Sequence, residues 1–161
     1  MYLDKYSLLY CWIHKAASSS WNKIFFDLVK KKVHPQNLHT AAQHFRPTGN
    51  IEMEKLFNNA KVSFAFVRHP FQRIVSAFRD KFELGRKEDW CYKNYAGDIL
   101  NISSQFKKKD MNYEKEMYKK LKPKPRPTFP QFIAYLLRTP VSGYNDHWMP
   151  YWLHCQFCLN R

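Results

Sequence analysis

Two short polar segments carry the side chains best suited to chemistry, and both have the composition of an anion-binding site. In the first, Lys15 precedes three consecutive serines, Ser18, Ser19 and Ser20. In the second, Arg68 follows an apolar run, and Ser76 comes two helical turns later. A cation, hydroxyl groups and the free N–H groups at a helix start can together hold a phosphate or sulfate group. Two such segments in one small chain predict a ligand with two separate anionic groups.

Each segment also has a simpler interpretation. Lys15 and the serines could be an ordinary surface lysine and a helix cap, and Arg68 could pair with a nearby acid such as Asp80. The first segment is not the phosphate loop of nucleoside triphosphatases, because the glycines of that loop are absent and the lysine precedes the hydroxyls. The residues alone leave ligand binding and the simpler interpretation open.

Each polar segment lies between an apolar run that predicts a strand and an amphipathic run that predicts a helix. The strands are predicted at 8–13 and 63–67. The first helix starts at one of the serines and closes at Lys30–Lys32, and Pro70 opens the second. The apolar faces of these helices are predicted to be Trp21, Ile24, Phe25, Leu28 and Val29 in the first, and Phe71, Ile74, Val75, Phe78 and Phe82 in the second.

The remaining sequence predicts two further helices and one irregular stretch. A short helix is expected near Ile51–Asn59, and Thr128–Gln131 has the pattern of a capping box before a last helix, Phe132–Arg138. Residues 86–127 are rich in lysine and proline, which indicates an insertion or an extended loop.

Composition limits the class of protein. The 161 residues suffice for one domain with a packed core, and the formal net charge of +14 predicts polyanionic partners. Charge alone would favour nucleic acid. No run of 18 apolar residues exists that could span a membrane. Of the four cysteines, Cys11 lies in an apolar strand and is predicted to be a core residue, while Cys155 and Cys158 form a weak zinc signal.

The two segments together resemble the signature of the Golgi carbohydrate sulfotransferases that act on chondroitin, dermatan and related glycans. The resemblance is nearly continuous over residues 64–82, which include FVRHPFQRIVSAFRDKF, and good over residues 10–23. PTFPQFIAYLL and NDHWMPYWLHCQFC also look like later segments of that family. The resemblance therefore covers most of the chain outside the lysine-rich stretch. One departure is His14, which stands where the family usually has proline.

The resemblance implies an α/β fold of the P-loop-like, three-layer sulfotransferase type, with a small parallel sheet flanked by helices. Residues 1–161 would form a single, C-terminally incomplete catalytic domain with 86–127 as an insertion. It implies 3′-phosphoadenosine 5′-phosphosulfate as the donor and requires no metal. Lys15 would contact the leaving phosphate and the sulfuryl group, and Arg68 and Ser76 would hold the 3′-phosphate. The residues around the 5′-phosphate would be Lys15, Ala16, Ala17, Ser18, Ser19 and Ser20.

The transfer also needs a base for the acceptor hydroxyl. His44 is favoured for this role, with His39, His147 and Glu83 as competitors. By the same resemblance, the acceptor would be a glycosaminoglycan or another glycan, and the catalytic domain would lie in the Golgi lumen, held by a membrane anchor that this chain lacks. No nucleic acid partner is then expected. The alternative is a non-catalytic basic module that binds heparin-like glycans or nucleic acid.

Overall fold

The computed structural model describes residues 1–45, 49–85, 89–100 and 125–154. They fall into two compact units. The first unit comprises Met1–His69 and the segment that begins at Met149, and the second comprises Pro70–Trp148. Each unit has a hydrophobic core of its own, and packing within that core fixes the elements around it.

A three-stranded sheet is the framework of the first unit. Its strands, in spatial order, are β1 (Tyr2–Leu3), β2 (Leu8–Cys11) and β3 (Val62–Ala65). β1 runs antiparallel to β2, because the few residues between them cannot form the long crossover that parallel strands need. β2 and β3 are parallel. The α/β class is therefore confirmed, but the sheet is mixed, with one parallel pair, and not wholly parallel as predicted.

Three helices separate β2 from β3 along the chain. They are α1 (Ser18–Leu28), α2 (Leu38–Gln43) and α3 (Asn50–Asn59). α3 confirms the helix predicted near Ile51–Asn59. α1 ends at Leu28 because Lys30 adopts a left-handed φ of 55°, and the N–H groups of Lys30 and Lys31 then bond back to the last turn. The lysines predicted to close this helix follow its end.

The buried side of α1 agrees with the prediction at Phe25 and departs from it at three other positions. Ile24, Leu28 and Val29 retain 42%, 45% and 42% of their surface, so the prediction that they are buried is wrong. The inward positions are Ser18, Asn22, Phe25 and Phe26. The aromatic rings of Phe25 and Phe26 occupy the core, and helical spacing then turns the polar positions one and two turns before Phe26 inward as well.

Tyr10 lies at the centre of the first core. Its ring is 5.0 Å from the ring of Phe25 and 5.3 Å from that of Phe64, so one tyrosine joins β2, β3 and α1. Beside it, the rings of Trp21 and Phe66 stack at 4.0 Å. This aromatic cluster packs the start of α1 against the residues that follow β3.

Tyr10→Phe is expected to raise the free energy of unfolding by about 1 kcal/mol, because a buried polar group without a partner costs about that much. Within the described part of the chain, the buried Tyr10 hydroxyl has no hydrogen-bond partner. Burial also raises the pKa of Tyr10 from 10.0 to about 12, so the folded chain keeps a proton that the unfolded chain loses. Stability should therefore fall between pH 10 and 12 in the wild type and fall less in the variant.

Chemical denaturation of Tyr10→Phe at pH 8 and pH 11 measures both effects. Tyr2→Phe is the matched control, since the exposed Tyr2 hydroxyl donates only a 3.3 Å bond to the carbonyl of Asn59. Destabilisation of the Tyr10 variant at pH 8 would mean that its hydroxyl has a partner.

The second unit packs three helices around aromatic side chains. These helices are α4 (Pro70–Phe78), α5 (Trp90–Ile99) and α6 (Phe129–Arg138). A π-helical turn, Arg79–Glu83, continues α4. The wider turn carries Phe82 into the core, where its ring lies 5.5 Å from that of Phe132 and 5.9 Å from that of Trp148. α6 begins with the capping box predicted at Thr128–Gln131, which is confirmed.

The buried face of α4 also differs from the prediction. Phe71 is 74% exposed and Val75 is 39% exposed. The inward positions include Arg73, which is only 3% exposed and donates from its guanidinium to the carbonyl of Asp146 at 3.0 Å. The arginine is buried because its charged group has this internal acceptor. Phe78 and Phe82 of the predicted apolar stripe are buried, as predicted.

Part of the stretch predicted as an extended loop is helical. α5 occupies residues 90–99, and Asp89 caps it by accepting a 2.8 Å bond from the N–H of Cys91. Arg126 then donates to three carbonyls that follow α4, those of Phe82, Glu83 and Gly85, at 2.7, 3.0 and 3.0 Å. Residues 89–100 and 125–127 are thus part of the second unit, and residues 86–88 and 101–124 lie outside the described ranges.

Candidate functional site

The two polar segments leave the sheet at the same edge. The first, which contains Lys15, follows β2, and the second, which contains Arg68, follows β3. β2 and β3 are parallel neighbours with Cys11 opposite Ala65, so both segments start at carboxyl ends about 4.8 Å apart. Ligands of open α/β sheets bind at this edge. The fold therefore brings the starts of the two predicted anion-binding segments together.

The backbone of the first segment has the shape of an anion site. Lys15 and Ala17 have left-handed conformations, with φ of 65° and 57°. Ala17 is the N-cap of α1, and helical Ser18 follows it. A left-handed residue beside a right-handed one turns successive N–H groups to one side, and the first N–H groups of a helix lack partners within it. These N–H groups can donate to one anion.

The serines have different environments. Ser18 is 5% exposed, whereas Ser19 and Ser20 are exposed. None of them caps α1, because Ala17 occupies the cap position, so the prediction of a serine cap is wrong. The hydroxyls of Ser19 and Ser20 thereby avoid the capping bond and can contact a ligand.

Ala17→Gly is expected to stabilise the fold by about 1 kcal/mol, because a left-handed conformation strains any residue that has a Cβ. Ala16→Gly is the matched control: Ala16 is 4% exposed and is not among the residues with positive φ. It should destabilise, since glycine there only adds freedom to the unfolded chain and removes a buried methyl group. Thermal unfolding measures both. Equal losses of stability would contradict the strain at Ala17.

An aromatic stack borders the first segment. The Trp12 ring lies 5.0 Å from the ring of His14 and 5.3 Å from that of His39, and the two histidine rings are 5.9 Å apart. Nε2 of His39 is 2.8 Å from Oγ of Ser19. His14 thus packs beside the segment. His39 brings an imidazole into direct contact with Ser19.

The second segment is held by a residue that sequence reasoning missed. The hydroxyl of Tyr151 accepts a 3.0 Å bond from the N–H of Arg68 and donates a 2.5 Å bond to the carbonyl of Arg68. The side chain of Arg68 is exposed. The two residues are 83 positions apart in the sequence, so no local sequence pattern predicts this contact.

The other predicted residues lie on other elements of the structure. Ser76 is half-buried in α4, which belongs to the second unit, whereas Lys15 and Arg68 belong to the first. His44 is the exposed residue at the carboxyl end of α2. Of the competing bases, His147 lies with Nδ1 2.5 Å from Oδ1 of Asn145, and Glu83 accepts a 2.9 Å bond from Arg79.

One cysteine has a role beyond the predicted one. Cys11, at the end of β2, is a buried core residue, as its apolar strand predicted, and it is also disulfide-bonded. Its pairing could not be read from the sequence, because connectivity depends on which cysteines the fold brings together. Cys91, in α5, is buried and is not disulfide-bonded.

Residues 1–45, 49–85, 89–100 and 125–154 contain no group of three or more histidine, cysteine, aspartate or glutamate side chains arranged to hold a metal ion. The same residues contain no helix with the length and apolar character needed to cross a membrane.

Comparison with known proteins gives one consistent result. The profile of a group described as "Sulfotransferase family" matches residues 1–161. Carbohydrate sulfotransferase 12 of Xenopus laevis is 28% identical to this chain, and the alignment covers 96% of the chain and 41% of that protein. Human carbohydrate sulfotransferase 14 is 26% identical, over 96% of the chain and 39% of that protein.

A shorter alignment is stronger in identity. Human carbohydrate sulfotransferase 9 is 35% identical over 86 residues, which is 50% of the chain and 19% of that protein. No solved structure matches the chain significantly. The chain thus spans about two fifths of the length of the first two relatives.

Proposed function

The chain belongs to the sulfotransferase family, and on this premise we propose that it transfers a sulfuryl group from 3′-phosphoadenosine 5′-phosphosulfate to a glycan hydroxyl. Relatives named carbohydrate sulfotransferases, aligned with 96% of the chain, support a carbohydrate acceptor. The observation that carries the proposal is the pair of basic segments at one edge of the sheet. Two neighbouring anion sites suit a donor with phosphate groups on both its 3′ and 5′ oxygens.

The two segments take unequal roles in this proposal. Ala16, Ala17 and Ser18–Ser20 surround the 5′-phosphate, where the left-handed backbone of the segment favours an anion. Lys15 neutralises the oxygen that joins this phosphate to the sulfuryl group. Arg68 and Ser76 bind the 3′-phosphate, because the guanidinium fork fits two phosphate oxygens at once and a hydroxyl can donate to a third.

The reaction is an in-line displacement at sulfur. The acceptor hydroxyl oxygen forms a bond to sulfur while the bond from sulfur to the 5′-phosphate oxygen breaks. Negative charge then develops on the leaving adenosine 3′,5′-bisphosphate, and the hydroxyl proton passes to a base. Such a transfer depends on positioning and on charge stabilisation at the leaving oxygen, which is what the Lys15 ammonium and the adjacent N–H groups supply.

Two histidines are candidates for the base. The sequence favours His44, while the 2.8 Å contact with the hydroxyl of Ser19 favours His39. A base must lie within hydrogen-bond reach of the proton it accepts, directly or through one hydroxyl or water. We therefore take His39 as the first candidate and His44 as the second.

The partners and location follow from charge and chemistry. A formal net charge of +14 attracts both a polyanionic glycan such as a glycosaminoglycan and the nucleotide donor. Cys11 is disulfide-bonded, and disulfides persist in oxidising compartments, which supports a lumenal domain of the Golgi. The proposal needs no metal and no nucleic acid partner.

The non-catalytic alternative receives no support from the relatives, which are named as transferases. The discriminating experiment is transfer of labelled sulfate from the donor to chondroitin, dermatan and heparin-like glycans. The proposal predicts donor-dependent labelling of at least one glycan. Glycan binding that weakens steeply with salt, without any transfer, would instead identify a polyanion-binding module.

A further inference from the structure

Tyr151 bonds to the second polar segment and packs against an apolar cluster that includes Ala16 of the first. It opens a short 3₁₀ turn, Tyr151–Leu153, and its side chain is half-buried. The hydroxyl bonds to both the N–H and the carbonyl of Arg68, as donor to one and acceptor from the other. Arg68 lies three residues beyond the end of β3, so its peptide groups are outside the strand ladder. One side chain therefore supplies hydrogen bonds that the sheet supplies elsewhere.

The ring of Tyr151 is fixed from the other side. It packs against a small apolar cluster formed by Cys11, Ile13 and Ala16, together with Ala65. Ala16 belongs to the first polar segment and is the residue next to Lys15, while Ala65 ends β3. The ring therefore packs against a cluster that includes a residue of the first segment, while the hydroxyl bonds to the backbone of the second.

This arrangement restricts the backbone from which the Arg68 side chain extends. An arginine side chain has several rotatable bonds, and its ordering on binding costs free energy. A backbone that is already fixed leaves only side-chain rotations to be ordered. Since a bidentate contact with phosphate requires a narrow range of positions for the guanidinium fork, a fixed backbone favours binding.

We propose that Tyr151 is a positioning residue that holds Arg68 for the 3′-phosphate of the nucleotide and links its position to the Lys15 segment. The proposal rests on the function proposed above, in which Arg68 binds that phosphate. It predicts an effect on affinity that is specific to ligands with a 3′-phosphate.

Tyr151→Phe tests this role, because it removes the hydroxyl and keeps the ring on its apolar cluster. The dissociation constants of adenosine 3′,5′-bisphosphate and adenosine 5′-phosphate are measured by calorimetry at fixed salt. We expect the bisphosphate to bind about three- to ten-fold more weakly, the range of one lost hydrogen bond. The affinity for adenosine 5′-phosphate should stay unchanged. The ratio of the dissociation constants, that of adenosine 5′-phosphate divided by that of the bisphosphate, therefore falls by the same factor.

Tyr144→Phe is the matched control. The Tyr144 hydroxyl also donates to a backbone carbonyl, that of Leu136 at 2.5 Å, but in the second unit. It should lower stability by a similar amount without changing the ratio of the two constants. A merely structural role for Tyr151 would make the two variants behave alike, or would weaken both nucleotides equally, and either result overturns the proposal.

Arg68→Ala separates failure of this inference from failure of the proposed function. If Arg68→Ala lowers the ratio and Tyr151→Phe does not, the positioning role is wrong while the site stands. If Arg68→Ala leaves the ratio unchanged, Arg68 does not bind the 3′-phosphate and both proposals lose their basis. In the double variant, Tyr151→Phe should cause no further loss, because the hydroxyl acts only through Arg68.

Discussion

Lys15→Ala is expected to lower kcat for sulfate transfer by about 10²- to 10³-fold, the range seen when one group that stabilises developing charge is removed. In our account, the Lys15 ammonium stabilises the oxygen that leaves sulfur, and this charge is larger in the transition state than in the bound donor. The left-handed backbone at Lys15 holds the side chain at the start of the anion-binding segment. The KM for the donor should therefore rise less than kcat falls.

Lys23→Ala is the control for loss of one positive charge. Lys23 is an exposed residue of α1 that pairs with Asp27 at 2.9 Å, with the two side chains 66% and 64% exposed. It lies eight residues after Lys15, so it alters the net charge equally without touching the segment. Steady-state kinetics with a saturating glycan measure both variants. A comparable fall of kcat in the two would reduce the role of Lys15 to general electrostatic attraction.

His39→Ala is expected to lower kcat by about 10²-fold or more, as loss of a general base does. The ring of His39 contacts Ser19, with Nε2 at 2.8 Å from the serine Oγ. The decline of kcat at low pH, where a base becomes protonated and inactive, should disappear in this variant. A change in the pH profile separates a base from a residue that only packs against Trp12.

His44→Ala and His34→Ala complete the experiment. His34 is exposed and only caps a 3₁₀ turn, at 3.4 Å from the N–H of Gln36, so its replacement should leave kcat unchanged. If His44→Ala, and not His39→Ala, causes the large loss of kcat and abolishes its decline at low pH, then the base is the histidine favoured by sequence. Our preference for His39 would then be wrong.

Local patterns in the sequence predicted the elements that carry the site. The alternation of apolar run, polar segment and amphipathic run predicted the order β2, Lys15 segment, α1 and the order β3, Arg68 segment, α4. The capping box at Thr128–Gln131 and the helix Asn50–Asn59 were equally visible. These features depend on neighbours within a few residues, so the sequence contains the whole signal.

Local patterns did not fully predict which side of each helix faces the core. In α4, apolar side chains lie on more than half of the helix circumference. Periodicity alone therefore does not decide which of them face inward. The buried face is fixed by Arg73, which reaches the carbonyl of Asp146 across 73 positions of sequence. Phe71 stays exposed for that reason. The same limit applies to α1, where Phe26 replaces Ile24 on the buried side.

Long-range contacts were invisible for a related reason. The bonds from Tyr151 to Arg68 and the contact from His39 to Ser19 join residues that only the fold brings together. A tyrosine after a proline, or a histidine in a polar stretch, has many ordinary explanations. The residues that bind anions could thus be proposed from sequence, while the residues that orient them could not.

Equilibrium binding of adenosine 3′,5′-bisphosphate to this chain tests the central claim most directly. The claim is that two basic segments at one sheet edge bind the two phosphate groups of one nucleotide. It predicts saturable binding of one nucleotide per chain, tighter than that of either adenosine 5′-phosphate or adenosine 3′-phosphate, since each of these occupies one segment. No saturable binding, or equal affinity for all three nucleotides, would contradict it.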